Sequence, residues 1–179
     1  MRIIVTIFLI TFLSSCSSHE PADQAQDNIE FTKRFFTEVY NQDKIDLIDE
    51  LFVEDYNHIT TAGDTFTGTD KVKSLVKSIK SIFPNLKLEI TEAVADNEKA
   101  MFLISITSDL PKMANPESKA KKISFTETYI FWVKDGYIYK GRTSGAHLPM
   151  IKQLSGFEGT MQEIIMILSK EKGSGETEL

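Results

Sequence analysis

Apolar residues recur along this chain with two different periods, and the change from one to the other divides it. Between Asn28 and Tyr40, the residues Phe31, Phe35, Phe36, Val39 and Tyr40 fall at helical spacing, which predicts an amphipathic helix with an aromatic inner face. A second, short helix is predicted from about Asp43 to Phe52, with Ile45, Ile48, Leu51 and Phe52 turned inward. A third, capped by Thr69 or Asp70, presents Val72, Leu75, Val76, Ile79, Ile82 and Phe83 and stops at Pro84. The aromatic stripes read as core rather than as a cofactor box.

Past Pro84 the period falls to two. Leu86, Leu88 and Ile90 alternate with polar residues, Asp96 and Asn97 turn the chain, and the stretch from Ala100 to Ile106 is almost continuously apolar, which predicts a strand buried on both faces. Strands from Ile123 to Lys134 and from Tyr137 to Ser144 are joined by Asp135-Gly136, a two-residue hairpin signal. A C-terminal helix is expected within residues 157–171, and residues 172–179 as a disordered tail. Three helices followed by strands predict a single-domain α+β fold, with the helices wrapped on one face of a curved antiparallel sheet that curls into a cone. The concave face then encloses an apolar pocket, where small molecules are usually held.

The N-terminus adds a destination. Met1 and Arg2 precede about eleven mostly apolar residues from Ile3 to Leu13, too few to span a bilayer comfortably but matching the charged and apolar regions of a secretion signal over residues 1–15. The run ends in Leu13-Ser14-Ser15-Cys16, which resembles the lipobox of bacterial lipoproteins. That resemblance implies cleavage before Cys16, acyl chains attached to it, and a lipid-anchored protein of the cell envelope. Ser17, where some lipoproteins have aspartate, resembles the pattern sent to the outer membrane in Gram-negative cells. The alternative is an ordinary cleaved signal or short anchor, with Cys16 a bystander. Cys16 is the single cysteine, so no internal disulfide can form and stability must come from packing. Residues 16–27 are polar, include Pro21 and lack an apolar period, and so read as a flexible tether.

Charge narrows the partners. The chain has 20 basic and 26 acidic residues, a formal net charge of −6, and loses Arg2 with the signal. That balance excludes nucleic acid, whose phosphates need concentrated Lys and Arg. Lys119, Lys121 and Lys122 cluster beside Pro111, Asn115 and Pro116 and read as a solvated hairpin. Three histidines, among them His19 in the tether, show no metal-ligand spacing, so neither a metal nor another cofactor is expected.

The order of segments resembles the SnoaL-like polyketide cyclase family, a branch of the nuclear transport factor 2-like folds. The run from Phe36 through Asn41 to Phe52 is similar to that family's opening helices, and Asp55-Tyr56-Asn57-His58 to its first strand, which often ends in histidine. Phe83-Pro84-Asn85-Leu86 is similar to its helix exit, and Phe131-Trp132-Val133-Lys134-Asp135-Gly136-Tyr137-Ile138 to its last hairpin. The resemblance spans roughly Ile29 to Gly156, within a domain of residues 28–156, and implies a cone that takes a small, largely apolar molecule. It does not imply a reaction, because this architecture hosts cyclases, isomerases, dehydratases and binding modules. In the cyclases an acid/base aspartate resides on the last strand. Here the corresponding tract is Lys140-Gly141-Arg142-Thr143-Ser144-Gly145-Ala146-His147, and no acidic residue occurs from Tyr139 through Phe157.

Other residues are candidates for the chemistry. Glu127 shares strand parity with Ile123, Phe125, Tyr129 and Phe131, so it either lies among apolar walls, where its pKa rises, or faces outward beside a lysine. His58 is a general base, a hydrogen-bond partner of a ligand, or a surface histidine. Arg142 shares parity with Ile138 and, if inward, holds a carboxylate or enolate oxygen; otherwise it forms an ion pair on the outer face. His147 closes the pocket or begins the next helix, while Tyr56 and Tyr129 are wall residues. Three functions follow: a lipid-anchored domain binding an apolar molecule; an enzyme of isomerase, cyclase or hydrolase type using His58, Glu127 and Arg142; and a homodimeric interaction module meeting its partner through the sheet face that carries Trp132.

Overall fold

The computed structural model describes residues 21–116, 118, 120–145, 147–160, 162, 163 and 166. Signal, lipobox and Cys16 lie outside the described residues, as does the expected tail at 172–179. A helix, α1, spans Pro21–Thr32, so the tether predicted up to residue 27 ends sooner. Proline at the first helical position has no hydrogen bond to lose, and Asp23 sits in the first turn, where the helix dipole favours negative charge. Pattern reading starts this helix only at Asn28, seven residues late, because its first turns carry no apolar stripe; Asn28 itself is buried, accepts from Gln24 Nε2 (3.2 Å) and donates to the Asp96 carbonyl (2.8 Å).

The expected aromatic stripe lies on a wider coil. Phe35–Tyr40 forms a π-helical segment whose extra residue per turn buries Phe35, Phe36, Val39 and Tyr40 together. A 3-10 turn, Ile45–Leu47, and a short helix α2, Ile48–Leu51, lead into strand β1, Phe52–Ile59. After β2 (Thr65–Thr67), helix α3 spans Thr69–Ile82. Neither Thr69 nor Asp70 caps it, because both are already helical; Gly68, at φ +96°, turns the chain into it without a side-chain cap. Val72 and Val76 are buried on its inner face, whereas Leu75 and Ile82 are exposed near its margins.

Strands β3 (Lys87–Ala95), β4 (Lys99–Asp109), β5 (Lys122–Lys134) and β6 (Tyr137–Gly145) follow as an antiparallel run. The sheet order is β2-β1-β6-β5-β4-β3. It is mixed rather than wholly antiparallel, because β1 pairs in parallel with β6. The long passage through β2, α3 and the strands β3, β4 and β5 is the crossover that a parallel pair requires. Asp135 and Gly136 both take positive φ, 50° and 79°, in the expected hairpin turn. Strand β4 is not buried on both faces: Ala100, Phe102, Ile104 and Ile106 point into the core, while Met101 on the other face is 41% exposed. Register shifts within β3, between β1 and β6, and between β5 and β6 bend the sheet around the helices.

The core is an aromatic cluster. Phe35 meets Phe36, Tyr40, Phe52 and Phe131 edge to face with ring centroids 5.2–5.6 Å apart, the arrangement that ring quadrupoles prefer. A further helix, α4, spans His147–Ser155, which pattern reading did not assign as an element. The Gln153 side chain clamps it to β5 by accepting from the Ser124 N–H and donating to the Ser124 carbonyl, both at 2.8 Å. Residues 157–160 are not helical, and most of the helix expected over 157–171 lies outside the described residues. No helix among the described residues is long and apolar enough to cross a membrane.

Candidate functional site

Two adjoining cavities occupy the concave side of the sheet. One, of about 240 Å³, lies between α3, β1, β5 and β6 and is lined by Phe35, Phe66, Val76 and Phe131 among others. The second, of about 200 Å³, lies towards β3 and is walled by Phe83, Leu86, Leu88, Ile106, Phe125 and Met150. Tyr40, Ile79, Glu127, Tyr129 and His147 border both. The walls are mainly apolar, with a few polar groups converging on the space, as in small-molecule sites generally.

Strand β6 brings little bulk inward, and side chains of β1 and β5 take the room it leaves. Its inward row is Gly141, Thr143 and Gly145, opposite Phe131, Tyr129 and Glu127 of β5. A Cβ on Gly141 would sit 1.9 Å from the Tyr56 hydroxyl and 2.9 Å from His58 Nδ1; one on Gly145 would sit 2.8 Å from Glu127 Cγ. Neither glycine has a positive φ, so each serves close approach rather than an unusual backbone.

Two hydrogen-bonded groups face this space. On β1, Tyr56 and His58 point inward, the Tyr56 hydroxyl lies 2.7 Å from His58 Nδ1, and His58 Nε2 lies 3.2 Å from Thr143 Oγ1. His58 is 6% exposed and stacks on Phe66. Burial lowers its pKa to about 4, so the ring is neutral near pH 7. Burial raises the Tyr56 phenol pKa far above its usual value, so that hydroxyl keeps its proton.

On β5, the Glu127 side chain is 14% exposed. Tyr129 donates its hydroxyl to Glu127 Oε2 at 2.9 Å, and His147 Nε2 lies 2.9 Å from Oε1. Burial, followed by the charge of neighbouring acidic groups, pushes the Tyr129 phenol well up, keeping it a donor. His147, the first residue of α4, thus fastens that helix across the cavities.

Five of the sequence candidates line this space, His58, Tyr56, Tyr129, Glu127 and His147, while Cys16 lies outside the described residues. Arg142 is not among the lining residues. Between Ile138, opposite Val133, and Lys140, opposite Trp132, strand β6 holds one extra residue, Tyr139. This bulge inverts the parity counted from Ile138, so Arg142 pairs with Ile130 and is exposed on the outer face. Trp132 shares that outer face, with Lys140 Nζ 4.8 Å from its ring centre. Thr60, Thr143 and Tyr40 were not anticipated. The signal for Thr143 was its place between two strand glycines, which mark a close approach. Among the described residues no group of His, Cys, Asp or Glu can hold a metal ion.

A family model described as SnoaL-like polyketide cyclase matches residues 30–154. No curated protein matches the chain. Among solved structures, a candidate SnoaL-like polyketide cyclase from Jannaschia sp. CCS1 superposes with a TM-score of 0.65 at 14% identity, covering 74% of this chain and 94% of that one. A candidate hydroxylase from Streptomyces galilaeus gives 0.64 at 14% identity, covering 84% and 94%. An LEH-like epoxide hydrolase of M. tuberculosis gives 0.58 at 15%, covering 82% and 98%. At these identities the likeness is one of fold, and the three names span different chemistries.

Proposed function

The chain belongs to the SnoaL-like polyketide cyclase family, and from that premise we propose that its cone binds a small, mainly apolar molecule while a lipid on Cys16 holds the domain at the cell envelope. The observation carrying the binding reading is the pair of apolar cavities that share Glu127, Tyr129 and His147. A cavity beside an aromatic core costs stability, and a bound molecule offsets that cost. Native mass spectrometry of the protein purified from its own membranes is expected to show a retained small molecule. A protein that carries none, and that binds no small apolar ring such as indane at millimolar concentration, would remove this reading.

Support for the anchor comes from Leu13-Ser14-Ser15-Cys16. Helix α1 starts five residues after Cys16, a reach of at most about 18 Å. Its C-terminal half meets the sheet at the Asp96 turn, through Asn28, and Gln24 borders a space beside the same turn, whereas the larger cavity lies at the other strand ends, among Thr60, Thr61, Ala62 and His147. On this reading the cavity sits at the end of the domain remote from the anchor. Cys16→Ser is expected to move the protein from the membrane to the soluble fraction. A variant that still fractionates with membranes as the parent does would refute lipid attachment.

A second reading, proton transfer beside a carbonyl, is favoured by Glu127. Its carboxylate is nearly buried, and each oxygen meets one partner, which aims it as a general base aims at a carbon-bound proton. The expected result is hydrogen–deuterium exchange at C2 of 1-indanone in heavy water, accelerated by the protein and lost in Glu127→Gln. Exchange no faster than in buffer would leave binding as the function.

A further inference from the structure

Helix α4 carries more apolar surface than the core uses. It contains Leu148, Met150, Ile151 and Leu154, yet none of its residues is fully buried. Met150 and Leu154 pack against the core, and His147 and Met150 wall the cavities. Leu148 and Ile151 lie on the outer side of the helix and do not join that core; Ile151 is 48% exposed. A helix with apolar residues on both sides belongs between two layers, and the core supplies only the inner one.

A built turn follows α4. Gly156, at φ +72°, ends the helix in the left-handed conformation that suits glycine, and the Phe157 N–H donates to Ser155 Oγ at 3.2 Å. Gly159 leaves room for the Phe157 ring and the Glu163 carboxylate, both of which a Cβ there would strike. A new helix then begins on a capping box: Glu163 Oε2 accepts from the Thr160 N–H at 2.5 Å, and the Glu163 N–H donates to Thr160 Oγ1 at 3.3 Å. The Thr160 N–H and then the Thr160 hydroxyl hold the Glu163 carboxyl below its usual pKa, with a smaller contribution from the Lys152 ammonium. The first turn of this helix therefore stands within electrostatic reach of α4.

Gln162, Glu163 and Met166 are helical and exposed, and they share one side of the new helix. By helical spacing the other side falls to Met161, Ile164, Ile165 and Leu168, a stripe of the kind that packs on a neighbour. Helices joined by so short a connection run antiparallel. Ile151 and Ile165 each stand seven residues from the middle of the turn at Glu158, and Leu148 and Leu168 each stand ten. With equal rise on both helices, an antiparallel pair sets Ile165 against Ile151 and Leu168 against Leu148.

We infer that residues 161–168 dock as a helix on the outer side of α4, Ile165 on Ile151 and Leu168 on Leu148, and brace the wall that α4 lends to both cavities. The docking is independent of the cavity-binding reading; its effect on a ligand, slower entry and release, rests on that reading.

Cys16 is the single cysteine, so a Cys16→Ser background makes disulfide trapping specific. In the full-length protein, the Ile151→Cys/Ile165→Cys pair is expected to form a disulfide within one chain on exposure to copper–phenanthroline, read by mass and by non-reducing electrophoresis. Ile151→Cys/Met166→Cys, with its second thiol on the exposed side, is expected to close roughly ten-fold more slowly. In the parent background, Ile165→Asp is expected to quicken amide hydrogen exchange over residues 147–155 about ten-fold and to shorten the residence of bound indane about as much, whereas Met166→Asp changes neither. Cross-linking only between chains would give the outer side of α4 to a second copy and overturn the docking, as would equal rates for the two cysteine pairs or exchange indifferent to Ile165→Asp. A parent that binds no indane removes the cavity reading instead, and the disulfide and exchange results still decide the docking.

Discussion

Replacing Gly141 with alanine tests whether the cavity end of the domain is built around an absent side chain. The new Cβ would stand 1.9 Å from the Tyr56 hydroxyl and 2.9 Å from both Tyr56 Cζ and His58 Nδ1. Tyr56 cannot swing aside, being 1% exposed and in edge contact with Phe52 at 4.7 Å. Overpacking of a closed core typically costs 1–3 kcal/mol, and a contact this short belongs at the upper end, about 3. Loss of the Tyr56–His58 hydrogen bond adds about 1 kcal/mol. The unfolded chain loses entropy on gaining a Cβ, which returns up to about 1 kcal/mol. The net expectation is destabilisation by about 3 kcal/mol, read as a lower urea midpoint at unchanged m-value and roughly a 10 °C fall in Tm. Adding Tyr56→Phe removes the oxygen that clashes, so the double variant is expected to be more stable than the sum of the two single changes by at least about 1 kcal/mol. A Gly141→Ala protein within 0.5 kcal/mol of the parent, or strict additivity in the double variant, would show that β6 has room to spare and that the close approach has no energetic consequence.

Acid should weaken the fold through His58. The unfolded chain takes up a proton near pH 6.5, whereas the buried ring does so only near pH 4, so the unfolded state binds more protons in that window. Stability is therefore expected to fall as pH drops from about 6.5 towards 4, by on the order of 2 kcal/mol, and His58→Gln should flatten that part of the profile; an unchanged profile would contradict the burial argument. Gln153→Ala removes both side-chain bonds that clamp α4 to Ser124. Amide hydrogen exchange over residues 147–155 is expected to quicken about ten-fold, while β4 and β5 keep the parent's protection; equal acceleration everywhere would mean global rather than local loosening.

What could be read from the sequence depended on whether a side chain was present to leave a pattern. On β5 the alternation from Ile123 to Phe131 is unbroken, and its register against β4 runs without a shift from Lys99–Trp132 to Asp109–Lys122. Parity there places Glu127 inward correctly. On β6 the same count starting at Ile138 points Arg142 the wrong way, because Tyr139 is an extra residue that no composition rule marks. The first helix was legible from Asn28 onward, where Phe31 begins the apolar stripe, and hidden over residues 21–27, which carry none.

The cavity itself is a pattern of omissions. Gly141, Thr143 and Gly145 form the inner row of a strand yet contribute no large apolar side chain, so hydrophobic periodicity assigns that row no face at all. The same row lacks the family's strand acid, and the carboxylate that borders the space comes from the neighbouring strand, in Glu127, fastened by Tyr129 and His147. Thr143 is the one member of that row to reach the cavity, where it meets His58 at one wall while the held Glu127 carboxylate stands at another, so the polar groups of the space come from three strands rather than from one.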